Sequence, residues 1–551
     1  MSASSRVIGE RVSRFIDLDS IPFMLPGSRL LVQRVGNGVQ IRRAEYERDL
    51  NECVVVSELC VFGEDGEQVS ITEVRPDRIA FGTAGVTLTF DGADALSIAG
   101  KNSPWSATFA IPGSTTPTEF ASFGADGLTI ASGASSGAIL TPSSRHAAAL
   151  ASTQEVWDEW FAKTPEVRED LAEMTALCWW VLGANIVTLP HLDARAVVPS
   201  KIGYVGLWQW DAYFIASGLR HGDPELAREQ LDLAFRFPSV DGQLPDVVHD
   251  EGLIASSDDL PQADQDRLRR AGSAISDPSS PVPLTKPPLA AWALSRLTGF
   301  VEDPAWFASA WEKVADSQEW WFTHSDLDGD GMPEYGHPYS SGLDDSPVFD
   351  AELPVASPDL AAYLIVQDDL LAARALKTGD ADAARRYSER SEHTLALLET
   401  MWDDTVGYFR SHGAGTPVDA ETCVSLLPLL TGRVSPQHVS AILDALDDPE
   451  RFENVWPVPT VARRDPAFSE ERMWRGPVWV NVNALLAEGL TASGYPERGR
   501  ALAEQTLRMV INGGGPQEYF TPSTGEKAPT ATTAFGWSAA LFIDLAVQVS
   551  R

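Results

Sequence analysis

The spacing of apolar residues divides the chain into two regions. Over residues 54–140, short runs rich in β-branched and aromatic residues recur between Gly, Asp and Pro. Runs spaced about 8–12 residues apart are typical of an antiparallel sandwich or barrel. We therefore predict an N-terminal antiparallel β-sandwich domain over residues 10–145. The runs are VVVSELCVF, VSITEV, RIAFG, VTLTF, LSIAG, WSATFAI, GLTIAS and GAIL.

After residue 150 the apolar period becomes helical and stays so to residue 549. Within residues 380–402, for example, apolar side chains fall at i, i+3 and i+4 behind a Gly-Asp start signal. Similar segments predict about a dozen helices. They span residues 153–163, 166–187, 209–220, 223–237, 286–299, 304–324, 358–378, 380–402, 418–430, 435–447, 478–494, 496–512 and 532–549.

Several of these helices, such as TALCWWVLGANIV and PVWVNVNALLAEGL, are apolar on nearly all sides. A helix with this pattern is buried by neighbours all round, which indicates an inner and an outer layer of helices. The sequence thus predicts a mainly α catalytic domain over residues 150–551, built as an (α/α)6 toroid. Long loops between its helices are where function is expected.

These loops are rich in Trp, Asp, Glu, Gly and Pro. Aromatic rings stack on the C–H face of a pyranose and carboxylates accept its hydroxyl groups, so the composition suits a sugar site. The alternative is that Trp208, Trp210, Trp474 and Trp479 are core residues, as an isolated Trp usually is. Because several loops share one composition, we favour the sugar site. The loops read KIGYVGLWQWDAYF, FPSVDGQLPD, LDGDGMPEYGHPYSSGLDDSPVFD, WPVPT, MWRGPVWVNVN and GGGPQEYFTPSTGE.

Hydrolysis of a glycoside requires two carboxyl groups, an acid for the leaving oxygen and a second group that activates water or attacks the sugar. Asp344 and Asp345 lie in the turn-forming segment SSGLDDSP, and Glu518 follows three glycines at 513–515. Local chemistry alone leaves these three as candidates among 78 acidic residues.

At the same loops the sequence resembles glycoside hydrolase family 63 and its mannosylglycerate and glucosylglycerate hydrolase relatives. The resemblance covers roughly residues 155–548, with the motifs in consistent order. It implies an (α/α)6 barrel of the inverting α-glycosidases, often preceded by a β-sandwich. The motifs are WVLGANIV, LWQWDAYF, KPPLAAWAL, DGDGMPEYG, SGLDDSP, WPVP, MWRGPVWVNVN, QEYFTPSTGE and FGWSAA.

The resemblance also implies roles for individual residues. The Asp of the family's SGxD element falls on Asp344, the general acid, and the Glu of the last loop falls on Glu518, the general base. In an inverting site two such carboxyl groups stand about 6.5–9.5 Å apart, with one water between them. The implied sugar-binding residues are Tyr204, Trp208, Trp210, Asp211, Gln243, Trp474, Arg475, Gly476 and Tyr519.

Three departures from the family pattern leave the aglycone undetermined. Val348 and Phe349 stand where the family commonly has Arg-Trp, Lys286 stands for a common Gln, and Met473 for a common Tyr. Either Arg475 or Lys286 still offers charge-assisted hydrogen bonds to a carboxylate.

The leading hypothesis is an inverting exo-acting α-glycosidase that hydrolyses a small soluble α-glucoside or α-mannoside, a disaccharide or a glycosylglycerate-like compound. The alternatives are an α,α-trehalase-like hydrolase, an inverting phosphorylase and a catalytically silent sugar-binding protein.

Charge and cysteine content limit the partners and the compartment. With 78 acidic against 42 basic residues and a net charge of -36, the chain would repel nucleic acid and anionic lipid, so neither is an expected partner. Four scattered cysteines and the absence of an apolar leader favour the cytoplasm. We expect a small-molecule carbohydrate as the partner and no cofactor, and the sequence allows a homo-oligomer.

One loop resembles a calcium-binding sequence. Asp326, Asp328, Asp330 and Gly331 match positions one, three, five and six of an EF-hand loop, but His337 occupies position twelve, where a Glu belongs. We assign no metal to the catalytic site, and the sequence leaves open whether this loop binds calcium.

Overall fold

The structure is a computed structural model that describes residues 3–46, 52–83, 85–101, 104–112, 118–133, 137–249 and 284–551. It has two compact units. The first comprises residues 1–206 and 532–539, and the second comprises residues 207–531 and 540–551. The first unit contains the β-rich region together with two long helices that follow it. The predicted domain boundary at residues 145–150 rests on the change from strands to helices. The two compact units are defined by contacts, which do not test that boundary, and it stays a prediction.

The N-terminal region forms antiparallel β-sheets, as predicted. In the described residues one sheet has the order β1-β2-β3-β4-β9-β10 and the other β12-β11-β8-β7-β6-β5, and rings of Phe23 and Phe90 meet across the two sheets at 5.0 Å. The strands, β1 to β12 in chain order, are Phe23–Met24, Leu30–Val35, Gly38–Arg43, Val54–Phe62, Ile71–Arg75, Arg78–Phe81, Val86–Phe90, Ala95–Gly100, Trp105–Ala110, Glu119–Phe123, Leu128–Ser132 and Ala138–Pro142.

The predicted runs omit the hairpin formed by β2 and β3. Its strands are paired in register from Leu30 with Arg43 to Val35 with Gly38. The two-residue turn contains Gly36, whose φ of +53° is easy only for glycine. The Gly-Asn pair at 36–37 is a hairpin signal, and it marks this turn in the sequence.

The described residues after this region are largely helical, as predicted. The segment 418–430 is an exception, because two 3-10 segments, Cys423–Ser425 and Leu427–Thr431, replace the predicted helix. Pro428 cannot donate the backbone hydrogen bond of an α-helix interior. The α-helices are Ala3–Val12, His146–Phe161, Glu169–Ala184, Gln209–Leu219, Pro224–Ala234, Ala290–Arg296, Pro304–His324, Pro338–Ser341, Pro358–Thr378, Ala381–Thr400, Pro436–Leu446, Val480–Ala492, Pro496–Asn512 and Gly536–Ser550.

Short strands lie between these helices. They are Ile186–Leu189, Ala194–Val197, Leu207–Trp208, Val247–Val248, Val355–Ala356, Trp402–Asp403, Tyr408–Phe409, His412–Gly413 and Thr416–Pro417, and a further short 3-10 segment spans Pro347–Asp350. Among the described helices, none combines the length and the apolar composition needed to cross a bilayer.

Candidate active site

Asp211 lies in the first turn of the helix Gln209–Leu219. The strand residue before that helix, Trp208, pairs with Val247, and the backbone N–H of Gln209 donates to the carbonyl of Asp246 at 2.8 Å. This pairing brings the DGQLPD loop against the WQWD segment. Trp210 and Asp211 are both buried. Burial raises the pKa of Asp211 well above its ordinary value, although the charge of Lys286 opposes the shift.

The DGQLPD loop carries Gln243 and Asp246 in a tight turn. The N–H of Gln243 donates to Ser239 Oγ at 3.0 Å, and the N–H of Ser239 donates back to the Gln243 carbonyl at 2.8 Å. Both Gln243 and Asp246 are buried. Asp246 was not among the predicted site residues, although it ends the quoted loop.

Lys286 forms a buried ion pair with Asp246, with 3.1 Å between Nζ and Oδ1. Its ammonium also donates to the carbonyl of Tyr339 at 2.6 Å, and its backbone N–H donates to Gln209 Oε1 at 3.0 Å. Burial lowers the pKa of Lys286, but the charges of Asp246 and Asp344 outweigh burial and the pKa is raised. Lys286 is therefore a fixed cation among carboxylates, and the group it binds is a side chain of this protein.

The segment before Asp344 is a short helix, Pro338–Ser341, with a defined start and end. The His337 ring accepts the N–H of Tyr339 at 3.1 Å, and Gly342 ends the helix in the left-handed region with φ of +68°. A Cβ on Gly342 would lie 2.2 Å from the Trp210 ring. Glycine is thus required at this position for backbone conformation and for space, and it sets the acid loop directly on Trp210.

Asp344 has an unusual environment for a carboxyl group. Its Oδ1 atom is buried and accepts no hydrogen bond from any residue that the structure describes. Burial raises the pKa of Asp344 to about 6. The charge of Lys286 opposes the rise, whereas those of Asp246 and Asp345 add to it. A carboxyl group in this state holds a proton up to near-neutral pH and has an oxygen available to a ligand.

The neighbouring Asp345 makes different contacts. Its Oδ1 accepts the backbone N–H of Trp474 at 2.9 Å, and its Oδ2 accepts Nε of Arg472 at 3.0 Å. The Trp474 ring stacks on Trp479 with 3.6 Å between centroids and lies 6.2 Å from Trp210. The loop of Asp344 and Asp345 and the MWRGP loop therefore both contact the cluster of Trp210, Trp474 and Trp479.

Arg475 and Gly476 have defined roles in the same loop. Both terminal nitrogens of Arg475 bind the carboxylate of Asp350, at 2.8 and 2.5 Å. Gly476 donates its N–H to Thr460 Oγ1 at 2.9 Å, and a Cβ there would lie 2.3 Å from the Ser469 carbonyl oxygen. Arg475 thus joins two loops by binding a carboxylate of the same chain, as Lys286 does. Asp350 also lies outside the predicted set.

The loop of Glu518 also contacts this tryptophan cluster. Val478 and Phe520 exchange two backbone hydrogen bonds of 2.8 and 3.0 Å, and the Tyr519 ring lies 4.8 Å from that of Trp479. Glu518 is buried. Burial raises the pKa of the Tyr519 phenol, and the charges of Glu518 and Asp345 add to the rise. The two carboxylates therefore both act on the Tyr519 phenol, whose hydrogen bond with Thr530 at 2.8 Å opposes the rise.

The described contacts link the loops that carry most of the predicted residues, and these loops all belong to the second unit. The predicted residues on them are Trp208, Trp210, Asp211, Gln243, Asp344, Trp474, Arg475, Gly476, Glu518 and Tyr519, and Asp246, Lys286 and Asp350 are added. Tyr204 belongs to the first unit, where its ring packs edge-on against Phe535 at 5.7 Å.

The possible calcium loop is a turn whose carboxylates bind its own backbone. The carboxylate oxygens of Asp326, Asp328 and Asp330 lie within 4.8 Å of one another, and Asp326 accepts N–H groups of Gly329 and Gly331 at 3.0 Å. The His337 ring caps the helix Pro338–Ser341, so in this arrangement it cannot also be the twelfth-position ligand.

Comparisons with known proteins identify the family. A mannosylglycerate hydrolase MGH1 from Selaginella moellendorffii is 27% identical over 465 residues, which is 72% of this chain and 90% of the relative. A glucosylglycerate hydrolase from Mycolicibacterium hassiacum is 23% identical over 423 residues, 62% of this chain and 92% of the relative.

The fold is also similar to the crystal structure of a GH63 mannosylglycerate hydrolase from Thermus thermophilus in complex with Tris and D-glycerate. The TM-score is 0.55, the sequence identity is 24%, and the match covers 67% of this chain and 98% of the other. Residues 204–538 match the model of the mannosylglycerate hydrolase MGH1-like glycoside hydrolase domain. The chain therefore belongs to this GH63-like family and is a glycoside hydrolase, which confirms the family resemblance in its sequence.

Proposed function

We propose that the protein is an inverting exo-acting α-glycosidase of small soluble α-glucosides or α-mannosides, with Asp344 as general acid and Glu518 as general base. One observation carries the proposal: Asp344 is a carboxyl group with a buried, unbonded oxygen and a pKa raised to about 6. An acid of this kind keeps its proton up to about pH 6, well above the ordinary range of an aspartate, and can donate it to a leaving oxygen.

In this mechanism the Asp344 proton passes to the glycosidic oxygen as the bond to the anomeric carbon breaks. Glu518 takes a proton from the water that attacks the opposite face of the sugar, so the anomeric configuration inverts. The separation expected for the pair, about 6.5–9.5 Å, leaves room for that water. The loops of both residues meet the Trp474 and Trp479 stack, which favours this pairing.

The sugar subsite is proposed to lie between the Trp210 and Trp474 rings and the polar groups of Asp211 and Gln243. Trp208, Arg475, Gly476 and Tyr519 complete the proposed set within the second unit, and the role of Tyr204 stays a prediction from the sequence. The relatives are named as hydrolases of mannosylglycerate and glucosylglycerate, so a glycosylglycerate-like compound is the first substrate to test, and a disaccharide is the second.

The proposed scaffold for this site is an (α/α)6 barrel that follows an N-terminal β-sandwich in the sequence. The proposed compartment is the cytoplasm, whose reducing conditions suit four buried cysteines.

The test is hydrolysis of a panel containing mannosylglycerate, glucosylglycerate, trehalose and p-nitrophenyl α-glycosides, with the product anomer followed by NMR. We expect β-sugar as the first product. Asp344→Asn and Glu518→Gln should each reduce kcat by about 10²–10⁴-fold while the circular dichroism spectrum is unchanged. Full turnover in either variant, or an α-sugar product, contradicts the mechanism. Sugar binding without turnover by the wild type would instead indicate a silent binding protein.

A further inference from the structure

Asp345 follows the proposed acid directly but points its carboxylate at another loop. One oxygen accepts the backbone N–H of Trp474 at 2.9 Å, and the other accepts Nε of Arg472 at 3.0 Å. The two partners flank a single residue, Met473. One carboxylate therefore binds the backbone on the C-terminal side of Met473 and an exposed side chain on its N-terminal side.

Met473 has a backbone conformation that a non-glycine residue rarely adopts. Its φ is +28°, and in this region the side chain crowds its own backbone. Such a conformation persists only where surrounding contacts hold it. The backbone contacts around it are the bond from the Trp474 N–H to Asp345, a bond from Trp479 Nε1 to the Met473 carbonyl at 2.8 Å, and a turn bond from the Arg475 N–H to the Arg472 carbonyl at 2.7 Å.

The backbone at Met473 determines where the next side chain points. The Trp474 ring is buried and lies parallel to Trp479 within 6°, with 3.6 Å between centroids. The ring also lies 6.2 Å from that of Trp210, the neighbour of Asp211. A relaxed Met473 would rotate the Trp474 ring out of this stack.

We propose that Asp345 is a positioning residue that holds the Met473 backbone and thereby fixes the Trp474 ring at the sugar subsite. The inference rests on the proposed function, because it takes the Trp474 ring to contact the sugar. In this proposal the Asp345 carboxylate links the loop of Asp344 to the Trp474 ring. The proton donor and the bound sugar are thereby held in a fixed relative position.

The competing explanation is that Asp345 only forms a surface ion pair. The Arg472 side chain is 60% exposed, and an exposed pair of this kind contributes little. The two explanations differ in which bond matters: the amide of Trp474 in the proposal, and the guanidinium of Arg472 in the alternative.

Three variants separate these bonds. Asp345→Ala removes both, Asp345→Asn retains an acceptor oxygen for the Trp474 amide, and Arg472→Gln removes only the ion pair. Each is assayed on the panel glycoside that the wild type hydrolyses best, together with the inhibition constant of the released monosaccharide.

We expect Asp345→Ala to raise KM and the monosaccharide inhibition constant by about tenfold or more, with a smaller loss of kcat, because one aromatic contact and its alignment are lost. Asp345→Asn should stay within about threefold of the wild type in both constants, and Arg472→Gln should do the same. This KM-against-kcat split and the rescue by Asn would not follow from a purely structural role.

The proposal is wrong if Asp345→Ala leaves both constants unchanged, or if Arg472→Gln is as damaging as Asp345→Ala. Failure of the proposed function has a different signature, since Asp344→Asn would then remain active. If the wild type hydrolyses no glycoside on the panel, both proposals fall together.

Discussion

Asp544 and Asp344, two aspartates of the second unit with buried carboxylate oxygens, have opposite electrostatic surroundings. Asp544 binds Arg220 at 2.7 Å, His221 at 2.8 Å and Arg296 at 3.1 Å. Although burial acts against ionisation, these partners lower the pKa of Asp544 far below its ordinary value, with Arg296 contributing most. Asp344 has the opposite balance, because burial raises its pKa to about 6 and Lys286 is shared with Asp246.

The contrast shows that burial alone does not make a carboxyl group reactive. Two guanidinium groups and the His221 ring bind the Asp544 carboxylate, so its charge is stable and both of its oxygens are occupied. Around Lys286 a single ammonium serves Asp246, Asp344 and Asp211. Three carboxyl groups around one cation favour retention of a proton, and a retained proton is what a general acid requires.

The largest expected effect tests the structural half of the comparison. Asp544→Asn leaves Arg220 buried without its paired carboxylate and leaves Arg296 with Glu488 alone, so we expect a loss of about 3–5 kcal/mol of unfolding free energy. Urea denaturation measures it, and kcat of the folded protein should be unchanged. The matched control is Asp447→Asn, which removes the exposed pair with Arg498 and should cost no more than about 1 kcal/mol. Equal losses in the two variants would contradict the distinction.

The opposite sign is expected at Asp344. Its pKa is raised from an ordinary 3.8 to about 6 in the folded protein, so its contribution favours the folded state below pH 4 and is lost as the pH rises through 6. Asparagine does not ionise and escapes this loss. Asp344→Asn should therefore be inactive yet more stable than the wild type by about 1–3 kcal/mol at pH 7–8.

Thermal denaturation of both proteins from pH 4 to pH 8 measures this difference. The advantage of Asp344→Asn should shrink to near zero at pH 4. A stability difference that does not change with pH would show that Asp344 is not held in its protonated form by the fold.

The smallest effect concerns the shared cation. Lys286→Met removes the positive charge that acts on Asp344 and leaves the charges of Asp246, Asp345 and Asp211. The basic limb of the pH–rate profile should therefore move upward by roughly one unit. In Lys286→Met with Asp246→Asn both charges of the ion pair are absent, and the limb should return towards that of the wild type. If the basic limb of the single variant moves downward or does not move, Lys286 does not lower the pKa of Asp344.

Local sequence signals predicted the helices well where they set both ends. The helix Pro304–His324 has the predicted bounds, since Asp303 accepts the N–H of Trp306 at 2.9 Å and Pro304 occupies its first turn. At 418–430 the apolar pattern predicted a helix, but Pro428 and the 3-10 segments around it replace one. The spacing of apolar residues indicates which side chains are buried. It does not distinguish an α-helix from 3-10 turns of similar spacing.

Loop composition and family resemblance singled out Asp344 and Glu518 among many acids. Neither indicated the pairs that determine the local electrostatics and geometry. Lys286 binds Asp246, which lies 40 residues away in the sequence, and Asp345 binds the amide of Trp474, which lies 129 residues away. No spacing rule connects residues on separate loops, because their distance depends on how whole helices pack. These partners become visible only when the chain is folded.

The contact between Gly342 and Trp210 restricts how this site can change in evolution or in the laboratory. Any side chain at position 342 collides with an indole 2.2 Å away, while a smaller residue at 210 opens a void beneath the acid loop. Changes at the two positions will therefore be strongly epistatic. A search for new sugar specificity that mutates Trp210 alone will mostly yield inactive proteins, and libraries should vary the two positions together.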